Sequence, residues 1–193
     1  MARIREFEPE DAIEKAMQLF WRKGYAGTSV RDLVDYTGVA HAGLYSAFGG
    51  KRALFRAAFQ RYIDTVLAEL FKGVEAPTSG RAEVEQLFDR LLSDIRAGGW
   101  QDGCFMCNTA VEFGDEPGDI KSNVNKNIER LVTAFQGALE RARTNGEVRS
   151  ELDPRATAEF LVSVFVGSAV LVRAKSPFDS IERSVRVALQ ELD

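Results

Sequence analysis

The sequence predicts an all-α protein of about nine helices, with a small N-terminal domain joined to a larger C-terminal domain. Apolar residues recur at helical spacing through most of the chain, and patterns typical of strands are nearly absent. Breaks that contain glycine or proline separate the helical segments. With 193 residues, 45% hydrophobic and 28% charged, the chain has the composition of a globular protein with a proper core.

Each predicted helix is bounded by a residue type that starts or stops helices. Prolines and small polar residues begin helices, and glycines end them. The first four helices are expected over about 9–23, 29–37, 42–48 and 51–71, with Thr28 capping the second. The fifth helix is expected to end at about residue 97. The next three span about 103–113, 117–145 and 154–174, and a last helix follows Pro177.

Charge differs between the two ends of the chain. Residues 1–62 hold 10 Lys and Arg against 7 Asp and Glu, whereas residues 63–193 hold 15 against 22. This asymmetry indicates that the two parts have different partners, although the whole chain has a net charge of −4.

Several classes of protein are disfavoured by the sequence. The first residues carry no apolar run of a signal peptide, and the longest apolar stretch, 160–172, is too short to span a bilayer. The 2 cysteines are too few for a disulfide framework. We therefore expect a cytoplasmic protein without membrane contact.

The two short helices over 29–37 and 42–48 match a helix-turn-helix arrangement. Gly38 permits the left-handed backbone that the turn needs, and Val39 would fill the space between the helices. Leu44 and Phe48 would pack on the first helix, so that the third helix turns small residues outward, as entry into a DNA major groove requires. A plain helical hairpin with a glycine turn is the alternative.

The predicted DNA contacts lie on the second helix, on the third helix and at the start of the fourth. Tyr45 offers a hydroxyl to a phosphate, and Lys51 adds a charge beside backbone N–H groups. The full set is Thr28, Ser29, Arg31, His41, Ala42, Gly43, Tyr45, Ser46 and Lys51.

The run LFWRKGYAGTSVRDLVDYTGVAHAGLYSAFGGKRALFRAAF, residues 19–59, resembles the DNA-binding domain of TetR-family transcriptional repressors. The residues that carry the resemblance are Gly24, Tyr25, Thr28, Gly38, Val39, Leu44, Tyr45, Phe48 and Lys51. The resemblance implies a third helix in the major groove, with Thr28, Tyr45 and Lys51 holding phosphates. Ala40, His41 and Gly43 depart from the family pattern, where Ser, Lys and Ser or Thr are common, so side-chain contacts to DNA are expected to be fewer.

The same resemblance implies a homodimer on a palindromic operator, since helix-turn-helix proteins bind paired half-sites. Residues 1–52 would form the DNA-binding domain, and residues 53–193 the effector-sensing and dimerisation domain. The helix over 154–174 is apolar on more than one side, which indicates burial in a core, in an interface, or in both. The resemblance favours the interface, with contacts from Phe160, Val164, Phe165, Ser168, Leu171 and Val172.

The stretch WQDGCFMCNTAVEF, 100–113, carries both cysteines. Asp102 is expected to cap a helix, which would place Cys104 in its first turn and Cys107 one turn on, where the helix N-terminus lowers a thiol pKa. The cysteines can be small buried apolar residues, or a thiol sensor like that of TetR-like repressors that respond to electrophiles or oxidants, which this stretch resembles. The two cysteines and the one distant histidine are too few ligands for a closed zinc site, and no metal or cofactor is expected.

A small apolar or electrophilic effector is expected to bind between helices and to favour the DNA-incompetent state. The predicted lining, for which core packing is the alternative, is Trp100, Phe105, Met106, Phe113 and Phe135. Two rival functions stay open: a cytosolic thiol-disulfide enzyme that uses Cys104 and Cys107, and a helical interaction module that no longer binds DNA.

Overall fold

The computed structural model describes residues 7–193. Residues 1–6, the start of the segment in which no signal peptide is expected, lie outside that range. The described residues form helices joined by turns, without a strand, which confirms the all-α prediction. The helices are α1 Pro9–Lys23, α2 Val30–Thr37, α3 His41–Phe48, α4 beginning as Lys51–Tyr62, α5 Arg81–Arg96, α6 Phe105–Phe113, α7 Asp119–Thr144, α8 Pro154–Arg173 and α9 Phe178–Leu189.

The first three helices pack with the start of α4 as a small unit, the reading head. Ser29 is the N-cap of α2, because its hydroxyl accepts from the Asp32 N–H at 3.0 Å while the Asp32 carboxylate accepts from the Ser29 N–H at 2.7 Å. The prediction that Thr28 caps this helix is wrong. Its side chain is buried and its hydroxyl donates to the carbonyl of Gly24 at 2.6 Å.

The turn between α2 and α3 forms as the sequence predicts. Gly38 ends α2 in the left-handed conformation with φ of 76°, which a residue with a side chain rarely adopts. Val39 and Leu44 are buried, and Ala40 caps α3 without a side-chain hydrogen bond. Helix α3 therefore packs on α2 and α4 through its inner face, and its outer face stays exposed.

Helix α4 connects the reading head to the rest of the molecule. It continues through a π-helical segment, Ile63–Leu67, into a last α-helical turn, Ala68–Phe71. Near its start the ring of Phe55 lies 5.0 Å from that of Phe20 in α1, and at its end Phe71 contacts Phe165 at 5.0 Å. One helix thus spans two regions of the core, as its long apolar pattern predicts.

The C-terminal part builds a second packed region from α5 to α9. Helix α8 packs along α7 and α9, and α5 packs on α7 and α9. Asp153 caps α8 by accepting from the N–H groups of Arg155 and Ala156, and Pro154 opens the helix as predicted. Helix α6 lies where α4, α7 and α8 meet, and so stands between the reading head and this region.

Candidate functional site

The outer face of α3 is formed by His41, Ala42, Tyr45 and Ser46, which are all exposed, as predicted. The His41 and Tyr45 rings stack with centroids 4.3 Å apart and planes 20° from parallel. Tyr45 keeps 41% of its surface exposed, so its hydroxyl is available to a ligand. The face presents small side chains beside one pair of aromatic hydrogen-bonding groups, a surface that fits a groove.

Two residues of the predicted DNA-contact set do not face outward. Thr28 is buried with its hydroxyl committed to the Gly24 carbonyl, so its side chain is not available to a phosphate. A Cβ placed on Gly43 would lie 3.1 Å from Val39 and 3.3 Å from the Phe7 ring, so a side chain here would point into the reading head. The predicted contact from the Thr28 side chain is therefore wrong, because packing turns that side chain inward. Gly43 has no side chain to offer, and its predicted role, a close approach of the α3 backbone to DNA, stays a prediction.

The other predicted contacts lie at the surface around α3. Ser29 and Arg31 are exposed at the start of α2, where Arg31 lies 3.7 Å from Asp35 in an exposed ion pair. Lys51 begins α4, and its ammonium lies 4.1 Å from the centroid of the Tyr25 ring. Partial burial lowers the pKa of Lys51, which the charges of Glu112 and Asp32 oppose.

The two cysteines lie at the start of α6, but not where Asp102 would have placed them. Cys104 is itself the N-cap residue, because the chain turns at Gly103 with φ of 67° and the helix begins only at Phe105. Cys107 is three residues on, and both thiols are free and buried. The Tyr62 hydroxyl donates to Cys104 Sγ at 3.2 Å.

The thiols differ in their ease of ionisation. Burial raises the pKa of Cys104, but the hydrogen bonds from Cys107, Tyr62 and the first N–H groups of α6 outweigh it and bring the pKa to about 7. The pKa of Cys107 is raised, by its hydrogen bond to Cys104 and by burial. Cys104 is thus the thiol of the pair that ionises more readily, and Cys107 stays protonated beside it.

The residues predicted to line an effector pocket are divided between two aromatic clusters. Phe105 and Phe113 pack on Phe55 of α4, with ring centroids 5.5 and 5.2 Å away. Trp100 instead stacks edge-on against Phe165, and Phe135 lies beside Phe71 in the C-terminal region. Met106 is buried as well. These side chains thus pack in the core as two groups, and their role in lining an effector pocket stays a prediction.

A separate cleft of about 330 Å³ opens between α4 and α7. Phe59 and Ile120 contribute apolar surface, and the Asn123 amide donates to the Gln60 side-chain oxygen at 3.1 Å across the cleft. The Arg56 guanidinium of α4 donates to the Asp119 carboxylate of α7 at 2.6 Å, a second polar contact between the two helices that line the cleft. Since Phe59 stacks edge-on with Phe105 at 5.7 Å, a molecule in this cleft would lie one side chain from α6.

Helix α8 carries an apolar exposed stripe. Phe160, Val170 and Leu171 expose 44%, 47% and 36% of their surfaces, and Val164 is half-buried between them. Phe165, Ser168 and Val172 are buried on the opposite side against the subunit's own core, so their predicted place in a dimer interface is wrong. The sequence shows apolar residues around the helix but not which side the core occupies.

Helix α8 also has the length and composition of a membrane span, with mean hydropathy 1.6 over its most apolar window, of which 39% is buried. The helix is longer than the apolar stretch 160–172, since it runs from Pro154 to Arg173. Its inner face is core in the fold described above. Within residues 7–193 no group of three or more His, Cys, Asp and Glu side chains is arranged to hold a metal ion.

Contacts that the sequence did not reveal fasten α6 to the end of α1. The Glu112 carboxylate accepts from the backbone N–H groups of Tyr25 at 2.8 Å and Ala26 at 2.5 Å. At the other end of α6, the Trp21 indole N–H donates to the Gly103 carbonyl at 2.9 Å. Arg173 of α8 donates to the carbonyls of Trp21 and Asp102. A single glutamate and a single arginine carry no sequence pattern that identifies such contacts.

Comparison with known proteins agrees with this architecture. Residues 12–58 match the family model for bacterial regulatory proteins of the tetR family, and residues 80–188 match the model for the tetracyclin repressor-like C-terminal domain. The HTH-type transcriptional repressor ComR of Escherichia coli (strain K12) is 30% identical over 190 residues, a match covering 96% of this chain and 88% of ComR.

Two solved structures are similar over nearly the whole chain. One is a cysteine mutant of the TetR family transcriptional regulator CifR complexed with 26-base-pair operator DNA, with TM-score 0.81, 22% identity and full coverage of both chains. The other is the reduced form of E. coli NemR, with TM-score 0.83 and 19% identity, covering 95% of this chain and 96% of that one. At these identities the likeness is one of fold.

Proposed function

The chain belongs to the TetR family of bacterial transcriptional regulators, and on that premise we propose that it is a repressor that binds a palindromic operator as a homodimer. The observation that carries the proposal is the outer face of α3, which combines an exposed Tyr45 hydroxyl with the small side chains of Ala42 and Ser46. ComR is a repressor by name, and the CifR mutant was solved on operator DNA, which supports the same activity here.

Within this proposal, phosphates are held by residues around α3. Lys51 supplies charge, Tyr45 supplies a hydroxyl, and Arg31 is exposed for a further contact. Ser29 lies beside them at the surface, but its hydroxyl is bonded to Asp32 in the cap of α2. His41, Ala42 and Ser46 face the bases. Residues 1–52 act as the DNA-binding domain and residues 53–193 as the effector-sensing and dimerisation domain of a cytoplasmic protein.

Release from DNA is proposed to follow a small-molecule effector or thiol modification. The more readily ionised thiol of Cys104, beside a protonated Cys107, supports the second route. The cleft between α4 and α7 supports the first, since it adjoins α6. An effector would bind the DNA-incompetent state in preference to the DNA-competent one, and thiol modification would stabilise the DNA-incompetent state covalently.

The proposed function is not enzymatic, which agrees with membership of a family of transcriptional regulators. The rival proposal, a thiol-disulfide enzyme, requires the fully buried Cys104 to reach a substrate disulfide in every turnover, whereas thiol modification requires that thiol to be uncovered only once for each release from DNA. Turnover of a small disulfide substrate by the intact protein would favour the rival.

The experiment is a fluorescence-anisotropy titration of the DNA that flanks the protein's own coding sequence. Ala42→Asp adds a negative charge on the outer face of α3, and we expect it to abolish sequence-selective binding because the charge would meet phosphates and base edges. Ala97→Asp adds the same charge at the exposed end of α5 and is expected to bind as the parent does. Equal binding by the two variants, or no sequence-selective binding by the parent, would overturn the proposal.

A further inference from the structure

The contact between Glu112 and the turn after α1 joins the two parts of the molecule through charge-assisted hydrogen bonds. Its carboxylate oxygens accept separately from the Tyr25 and Ala26 N–H groups, and these amides are the first after α1 ends at Gly24. A Cβ on Gly24 would lie 3.1 Å from the nearer Glu112 oxygen, and its φ of 76° is rarely adopted by residues with a side chain. The turn is shaped to receive this carboxylate.

The turn that Glu112 holds leads directly into the reading head. Four residues after Tyr25, Ser29 caps α2, and α2 leads through Gly38 to α3. Thr28, in the same turn, is fixed by its bond to the Gly24 carbonyl. The position of this turn therefore sets where α2 begins and how α3 is presented.

Helix α6 carries Glu112 at one end and the buried cysteines at the other. The ring of Phe113 lies 5.3 Å from that of Tyr25, and Trp21 bonds Gly103 before the helix starts. Fastened at both ends, α6 can move only together with the end of α1 or by breaking these bonds. Ion pairs between the two parts, such as Arg52 with Glu116 at 3.1 Å, are exposed and contribute little to the free energy that joins them.

We propose that Glu112 is the positioning residue through which α6 sets the orientation of the reading head. The inference rests on the proposed operator binding and adds its means of regulation: displacement of α6 is passed to α2 and α3 through the Glu112 carboxylate. Because coupling between two sites is reciprocal, operator DNA must also hold α6 in place. The cysteines at the far end of α6 report that effect, since both must be uncovered before a reagent reaches them.

The test measures thiol labelling by 5,5′-dithiobis(2-nitrobenzoate) with and without saturating operator DNA. In the parent we expect operator to slow labelling roughly tenfold, a coupling within the usual allosteric range. In Glu112→Gln and Glu112→Ala the slowing is expected to fall below about twofold, with operator affinity reduced in the order parent, Gln, Ala. Glu116→Gln, which alters an ion pair between the same two parts, is the control and is expected to behave as the parent.

The ratio of the two labelling rates separates positioning from a purely structural role, which would change both rates alike. Equal slowing by operator in the parent and in Glu112→Gln would overturn this inference and leave the proposed function standing. So would a parent whose labelling ignores bound operator. A parent that binds no operator at all would overturn the proposed function as well, and direct titration distinguishes that result.

Discussion

Replacing Phe160 by alanine is expected to weaken the proposed dimer without unfolding the subunit. Phe160 exposes 44% of its surface on α8, in line with the half-buried Val164 and the exposed Leu171. Covering roughly 90 Å² of that ring in an interface stabilises by about 2 kcal/mol at 25 cal/mol per Å². Alanine keeps part of this area, so the loss is about 1–2 kcal/mol in each subunit.

Because a twofold axis repeats the contact, the partner subunit loses the same amount. The free energy of dimerisation therefore falls by about 2–4 kcal/mol, which raises the dissociation constant of the dimer roughly 30- to 900-fold. Sedimentation equilibrium over a range of subunit concentrations measures this constant directly. Val111→Ala on α6, where the side chain is 82% exposed, is the matched control and should leave the constant unchanged. If the two variants dissociate alike, the exposed stripe of α8 is not the interface.

Three further perturbations test the reading head and the thiol pair. Leu44→Ala empties a buried position of α3 and should cost about 2–5 kcal/mol in denaturant unfolding, whereas Ser46→Ala on the outer face should change stability by less than about 0.5 kcal/mol; similar costs would mean that α3 packs differently. Lys51→Met should lower the slope of log binding constant against log salt by about 0.9 per subunit, while Lys126→Met on the exposed side of α7 should not; an unchanged slope would remove Lys51 from the phosphate contacts. Tyr62→Phe removes a donor to Cys104, so the pH of half-maximal thiol labelling should rise from about 7, by about one pH unit; a shift to lower pH would contradict the proposed role of the hydroxyl.

The helices and turns were predictable because their signals are local. Gly38, Gly50 and the Asp153-Pro154 pair act on neighbouring residues of the chain, and each lies at the predicted boundary. Apolar residues recur at helical spacing along the whole of α4, which fits the contacts that this helix makes with two regions of the core.

The inward positions of Thr28 and Gly43 were not predictable from the sequence. Thr28 has the residue type of a helix cap, but the chain gives that role to the next residue because Asp32 completes a reciprocal pair of bonds with Ser29. Gly43 faces inward because Phe7, far away in sequence, lies beside it. Both outcomes depend on which elements meet, which periodicity within one helix does not contain.

The faces of α8 and the role of Glu112 show the same limit. Phe165 and Phe160 are both aromatic residues on an apolar helix, and only the positions of Phe71 and Trp100 decide that Phe165 is core. Glu112 is one acidic residue among many until the fold brings it to the Tyr25 amide. Residue type predicts a reading helix, but contacts between distant segments decide which side chains it presents and what holds it.

Hydroxyl-radical footprinting of the intact protein on the DNA flanking its coding sequence tests the central claim most directly. Two α3 helices in one dimer predict two protected patches on one face of the duplex, with centres about 34–36 Å apart and sequences related by a twofold axis. The patches should disappear together in Ala42→Asp. Uniform protection without regard to sequence, or a single unpaired patch, would contradict the account of a dimeric operator-binding regulator.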